Sequence, residues 1–178
     1  MVVRRRLLLT GPAAVFVTTT VVNWLPVFSD ESLAEQVTNE IRETTRRFDI
    51  SVCAYVLMPS HLHLLIGFPQ IESLTTFMQI LKQGTARRIK NLLSPDLRKT
   101  LTTQSGYYLW KPRFDDLIIE TEKQFRIKAE YIHNNPVKAG LVQRVEDYPH
   151  SSARYWLCGK LAPLPIDSEW RWSQRGNK

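Results

Sequence analysis

The residues best placed to do chemistry are His61 and His63, which flank Leu62 in the run SVCAYVLMPSHLHLLIGF from Ser51 to Phe68. Imidazole is the commonest protein metal ligand and is mostly neutral at physiological pH. On a strand, side chains two apart point to one face, which would set the two rings side by side as a shelf. Leu62, Leu64 and Ile66 then face the other way, toward a core. Met58-Pro59-Ser60 interrupts the apolar run, so two short strands over 51–57 and 61–67 are expected, joined as a hairpin.

Several elements could position such a shelf. The β-branched segment AAVFVTTTVV, 13–22, reads as a mostly buried strand. Asp30 and Glu31 open an amphipathic helix with the stripe Leu33, Val37, Ile41, Thr44 and Phe48, and Ser32 with Glu35 fits a capping box. A second helix is expected over 72–93, its stripe running from Leu74 to Leu92, with a loop over 94–109. Leu117-Ile118-Ile119 is a short strand. Thr121 with Gln124 then caps a helix that turns Phe125, Ala129 and Ile132 inward and ends near Asn135, where Pro136 stops it. On that helix Tyr131 and Asn135 are four apart and share a face, while His133 projects elsewhere.

The 178 residues make one domain by length, with a net charge of +7, which favours a polyanionic partner. Between 82 and 99, six basic residues, among them Arg87 and Arg88, face the single acid Asp96. The stretch YYLWKPRF, Tyr107 to Phe114, mixes four aromatics with Lys111 and Arg113, a composition suited to stacking bases and gripping phosphates. Lys111 and Arg113 are therefore the leading DNA-contact candidates, with Arg87, Arg88 and Lys138 behind them. Cys53 and Cys158 read as buried thiols of a reducing, cytoplasmic compartment. The basic start at Arg4 mimics a signal peptide, but Gly11-Pro12 breaks the apolar helix one would need, and no run is long enough to span a membrane. No Gly-rich nucleotide loop is present.

Three uses of a His-x-His pair compete. A histidine-triad nucleotide hydrolase continues the alternation to a third histidine, where this chain has Leu65. A cupin-like site needs an all-β barrel, which the long helical patterns oppose. An HUH endonuclease needs two histidines around a hydrophobic residue, one further polar ligand and a tyrosine on a helix. The segments VLMPSHLHLLI, WKPRF and YIHNNPVKAGLV, in that order, resemble the REP-associated tyrosine transposases, a branch of the single-tyrosine HUH transposases of insertion sequences. The resemblance runs from about Arg4 to Trp156.

That resemblance implies that His61 and His63 are metal ligands, that Tyr131 is the nucleophile, and that Asn135 is the third protein ligand, in a place where related enzymes carry Gln. It implies Mg²⁺ or Mn²⁺ as cofactor, although ligand type alone suits Mn²⁺ or Zn²⁺ better. It also implies a single-stranded DNA substrate with hairpin structure and a 5′-phosphotyrosine intermediate, in a monomer or a homodimer. A domesticated, catalytically idle DNA-hairpin-binding protein is the alternative. Helices interleaved with strands near 13–22, 51–57, 61–67 and 117–120 argue an α+β fold, an antiparallel sheet with helices packed on it. The resemblance implies the ferredoxin-like, RRM-related form of that fold. The domain is expected over 1–157, with 158–178 as a loosely ordered tail.

Overall fold

A computed structural model describes residues 9–170. The basic start at Arg4 and the last part of the expected tail, 171–178, lie outside the described residues. The elements in chain order are β1 (Ala13–Thr20), α1 (Glu31–Arg47), β2 (Ser51–Met58), β3 (His61–Phe68), α2 (Leu74–Ile89), α3 (Pro95–Thr100), the short pair β4 (Thr102–Thr103) and β5 (Gly106–Tyr107), β6 (Asp115–Ile119), α4 (Glu122–Lys138) and α5 (Ala153–Cys158). The main sheet runs β2-β3-β1-β6 with every neighbouring pair antiparallel. This is the strand order of the ferredoxin-like βαββαβ arrangement, and the α+β expectation holds.

Strand alternation divides the sheet into two unlike faces. Val15, Val17, Leu62, Leu64 and Ile66 point into the larger core, which α1 and α2 close with Val37, Ile41, Phe77 and Leu81. The opposite face holds Ala14, Val56 and Leu65 under α4, whose Ile132 is fully buried there. Register fixes what else stands on that face: Thr18 is paired with His63 and Thr20 with His61. A one-residue slip would send both histidines into the apolar core, so the hydrophobic pattern itself pins them outward.

The segment after α4 packs back onto the domain and covers the outer edge of β2. His150 C=O accepts from Leu57 N–H at 2.9 Å, and Ser152 N–H donates to Tyr55 C=O at 3.0 Å. Tyr148 Oη adds a bond to Leu57 C=O at 2.9 Å. Covering an edge strand in this way removes a template for unwanted pairing. Where a loose tail is expected, Leu164 is buried in the larger core and Asp167 N–H donates to Val52 C=O at 2.8 Å. Trp170 lies over Gly67 so closely that a Cβ there would sit 2.3 Å from the indole.

Several local expectations are corrected. The α1 cap is Asp30, which accepts from Leu33 N–H at 3.2 Å; it precedes Ser32 and has the extended backbone a cap requires. The second helix ends at Ile89, so Leu92 is exposed and Leu93 takes its core position. The expected loop contains α3, begun by Ser94, whose Oγ accepts from Leu97 N–H at 3.3 Å, with Pro95 in the first turn. Helix α4 continues through Pro136 to Lys138. Proline removes a single intrahelical donor, and Ala139 N–H still reaches Asn135 C=O at 2.9 Å, so the last turn closes. Cys53 is buried as expected, whereas Cys158 is exposed at the end of a short helix.

Candidate active site

The two strands and α4 bring the histidines and the tyrosine together within one chain. The rings of His61 and His63 are 4.8 Å apart between centroids, and the Tyr131 ring stands edge-on to His63 at 5.3 Å. Phe16 on β1 completes the cluster, stacked on His63 at 5.4 Å and meeting Tyr131 edge-on at 5.8 Å. Tyr131 is 38% exposed, with its ring set edge-on against Phe16 and His63. Asn135 follows one turn later, and its Nδ2 donates to Tyr131 C=O at 2.7 Å, leaving Oδ1 without a donor among the described residues. No hydrogen bond joins Asn135 to either imidazole among the described residues.

Each imidazole is held at one nitrogen. His63 Nδ1 lies 2.8 Å from Thr18 Oγ1 across the β1–β3 pair, and His61 Nδ1 is 3.2 Å from Ser60 Oγ in the hairpin turn. His63 Nε2 is buried and has no partner among the described residues. A buried nitrogen without a partner is costly, and a bound ion is one arrangement that would satisfy it. Burial, aided by the charges of His61 and Lys128, pushes His63 down to about 3, and burial also lowers His61. Both rings are therefore neutral at pH 7, the form that coordinates metal. Hydroxyls on Nδ1 would fix tautomer and ring orientation, as outer partners of metal-bound histidines do. The pair fits a divalent cation on these grounds. Among the described residues no group of three or more His, Cys, Asp or Glu side chains could hold a metal, so a third protein ligand must be of another type.

The basic candidates are placed unequally. Lys138 Nζ lies 5.6 Å from the centre of the Tyr131 ring. Lys111 Nζ sits 4.6 Å over the Trp24 ring, and Trp24 meets His61 at 5.7 Å, so Lys111 borders the shelf. Arg113 and Arg87 are exposed. Arg88 instead clasps α2 to α1, its guanidinium 2.9 Å from Glu40 and 2.6 Å from Glu43. In the aromatic stretch Trp110 is buried, its Nε1 donating to Thr85 Oγ1 at 2.8 Å. Tyr107, Tyr108 and Phe114 line an open groove of about 510 Å³ beside α2. Lys82 spends its ammonium inside the fold, on the carbonyls of Lys111 at 2.6 Å and Pro112 at 3.0 Å.

Five residues at the site were not singled out from sequence: Phe16, Thr18, Trp24, Ser60 and Lys128. Phe16 and Thr18 share a face by simple alternation, but only the register of β1 against β3 shows that it is the histidine face. Lys128, three residues before Tyr131, places Nζ 5.4 Å from the tyrosine ring centre and 4.7 Å from that of Phe16; the i,i+3 spacing was its only signal. His133 is buried on the far side of α4, its Nε2 2.8 Å from Ser152 Oγ, and stands outside the site as expected. His150, in the turn before α5, is buried against Glu31, with Nε2 3.0 Å from Oε2.

Comparison with known proteins identifies the family. Residues 15–135 match the family described as Transposase IS200 like, over more than half of the chain. A REP-associated tyrosine transposase of Escherichia coli K12 is 32% identical over 122 residues, which cover 67% of this chain and 62% of that protein. A protein of Haemophilus influenzae assigned to the same class is 28% identical over 113 residues, 62% of this chain and 63% of its own length. The match thus spans less than two thirds of the length of these two relatives. The fold superposes, with a TM-score of 0.70 and 23% identity, on the structure of a REP-associated tyrosine transposase bound to a REP hairpin, covering 94% of this chain and 93% of that one. No helix among the described residues is long and apolar enough to cross a membrane.

Proposed function

Because the chain belongs to the IS200-like transposase family, we propose that it cuts and rejoins single-stranded DNA at hairpin-forming repeats, using Tyr131 as nucleophile within its own chain. The single observation that carries this reading is the meeting of Tyr131 with the His61–His63 pair, the tyrosine ring being 5.3 Å from that of His63. The class of DNA follows the E. coli and H. influenzae relatives and the hairpin-bound structure, all named for REP sequences. A cytoplasmic location is proposed with it.

In this mechanism the Tyr131 oxygen attacks phosphorus, a Tyr O–P bond forms and the bond from phosphorus to the 3′ oxygen breaks. The phenolic proton is given up and the departing 3′ oxygen gains one, leaving a 5′-phosphotyrosine and a free 3′-OH. Attack by a 3′-OH reverses the exchange and needs no ATP, because the bond energy is kept in the phosphotyrosine. His61 and His63 would hold a divalent cation, with Asn135 Oδ1 as the third protein ligand; Mg²⁺ or Mn²⁺ is the metal proposed. When bound, that cation would supply Lewis-acid stabilisation of charge on the phosphate. Thr18 and Ser60 keep the imidazoles oriented, and Phe16 holds the tyrosine ring against His63. Lys128 and Lys138 put two ammonium groups beside the tyrosine, where the phosphate backbone must enter. Lys111, Arg113 and Arg87 extend that positive surface, and Arg88 serves mainly to hold α2 on α1.

The test is covalent capture. Protein incubated with Mn²⁺ and hairpin-bearing single strands should yield a DNA adduct on a denaturing gel, and Tyr131→Phe should yield none. An adduct that survives Tyr131→Phe would overturn the assignment. Hairpin binding without an adduct across several metals would favour the catalytically idle reading.

A further inference from the structure

Trp24 is an aromatic side chain that the core does not use. It is 56% exposed, and its backbone is left-handed, φ +57°, as is that of Asn23, φ +56°. Two successive non-glycine residues in that region are unusual, because the Cβ crowds the carbonyl, and such strain persists only where surrounding bonds enforce it. Here they do: Trp24 N–H donates to Val21 C=O at 3.1 Å, Val22 N–H to Leu109 C=O at 2.9 Å and Lys111 N–H to Thr20 C=O at 2.8 Å. These bonds lock the turn after β1 to the segment around Lys111. The outcome is an indole held in solvent, edge-on to His61 at 5.7 Å, with the Lys111 ammonium 4.6 Å from its centre. Neither core packing nor the α4 side of the site accounts for the indole's position.

We propose that Trp24 and Lys111 form a nucleotide subsite at the His61 end of the shelf, the indole stacking one unpaired base beside the scissile phosphate and the ammonium pairing with the adjoining backbone phosphate. The inference rests on the shelf being the cleavage site. An exposed indole with a cation over one face matches the two chemistries a nucleotide offers, a flat base for the other face and an anion for the cation, and stacking of this kind tolerates any base. Trp24 and Tyr131 then approach the shelf from opposite sides, with His61 and His63 between them.

The experiment uses the full chain carrying Tyr131→Phe, which binds without cutting, and fluorescence anisotropy with a hairpin oligonucleotide bearing unpaired flanks of about ten nucleotides. A companion set makes one flank nucleotide at a time abasic. The expected result is a loss of roughly 5- to 100-fold at one or two adjacent abasic positions, the range for one base–aromatic stack. Adding Trp24→Ala should weaken the intact oligonucleotide to the same extent and erase the abasic sensitivity, and Trp24→Tyr should restore most of both. Trp24→Gly guards against misfolding, since glycine suits φ +57°, and it should lose affinity as the alanine variant does. Unchanged affinity in Trp24→Ala, an abasic profile that persists in it, or no binding by the starting protein would overturn the subsite. Adduct formation by the wild-type chain with Mn²⁺ reports separately: no adduct with a Trp24-dependent profile sinks the cleavage reading and leaves a base-binding site, whereas an adduct without that profile sinks the subsite alone.

Discussion

His63 and His133 lie on the two elements that build the site, β3 and α4, and local chemistry treats them alike. They are 4% and 8% exposed, and burial holds both in the neutral form, down to about 3 and about 4. Their surroundings differ in one respect. His133 Nε2 meets Ser152 Oγ, which also accepts from Tyr55 N–H at 2.9 Å, so that ring joins the C-terminal segment to the sheet. Among the described residues His63 is bonded through Nδ1 alone, and its Nε2 has no partner. Burial and a lowered pKa therefore do not separate the two histidines; the unpartnered nitrogen beside a second imidazole and a tyrosine is what singles out His63 as the proposed ligand.

The sharpest way to break this contrast is to remove each ring. His63→Ala should reduce adduct formation at least about 1,000-fold, because a lost ligand removes both metal and orientation. His133→Ala should keep its rate at temperatures where it is folded and lose about 1–3 kcal/mol in urea denaturation, the range for a buried group left unpaired. Equal loss of activity in both variants would erase the distinction. Thr18→Val probes the one bond His63 makes, and Mn²⁺ affinity measured by electron paramagnetic resonance should fall about 10- to 100-fold without a comparable loss of stability. At the other histidine, Ser152→Ala should leave Mn²⁺ affinity unchanged and cost about 1–3 kcal/mol, since it strands Tyr55 N–H.

A smaller effect is expected from acid. Both rings have folded pKa values below the ordinary 6.5, so the unfolded chain binds more protons in that range. The stability gained by keeping them neutral is fully present above about pH 6.5 and is lost as pH falls toward about 4 for His133 and about 3 for His63. Thermal melts of the metal-free chain should fall progressively across that window, and His133→Gln should flatten its upper part. A flat profile in the wild-type chain would contradict the buried neutral assignment.

Much of this architecture was legible because period-two and helical patterning are strong in this chain. The hairpin at 51–67, the outward histidines, the shared face of Tyr131 and Asn135 and the antiparallel α+β fold all follow from alternation or helical spacing. What was not legible depends on register. Thr18 and Phe16 join the site only because β1 lies against β3 with Thr18 opposite His63, a choice that local sequence does not reveal. Arg88 and Arg87 are neighbours of identical type, yet Glu40 and Glu43 on α1 claim the first, because Gly84 lets the helices approach until a Cβ there would lie 2.0 Å from the Glu40 carboxylate. Trp24 gave no sign in the sequence, since neither its left-handed backbone nor its contact with His61 follows from composition.

The central claim is that one chain supplies the histidine pair and the tyrosine. Mixing folded Tyr131→Phe protein with folded His63→Ala protein, under conditions where the wild-type chain forms its adduct, tests it directly. Each variant alone lacks one half of the site, and each keeps the half the other lacks. The account predicts that the mixture forms no more adduct than either variant alone; recovery of a sizeable fraction of the wild-type adduct in the mixture would mean that the tyrosine works on a partner's histidines and would contradict it.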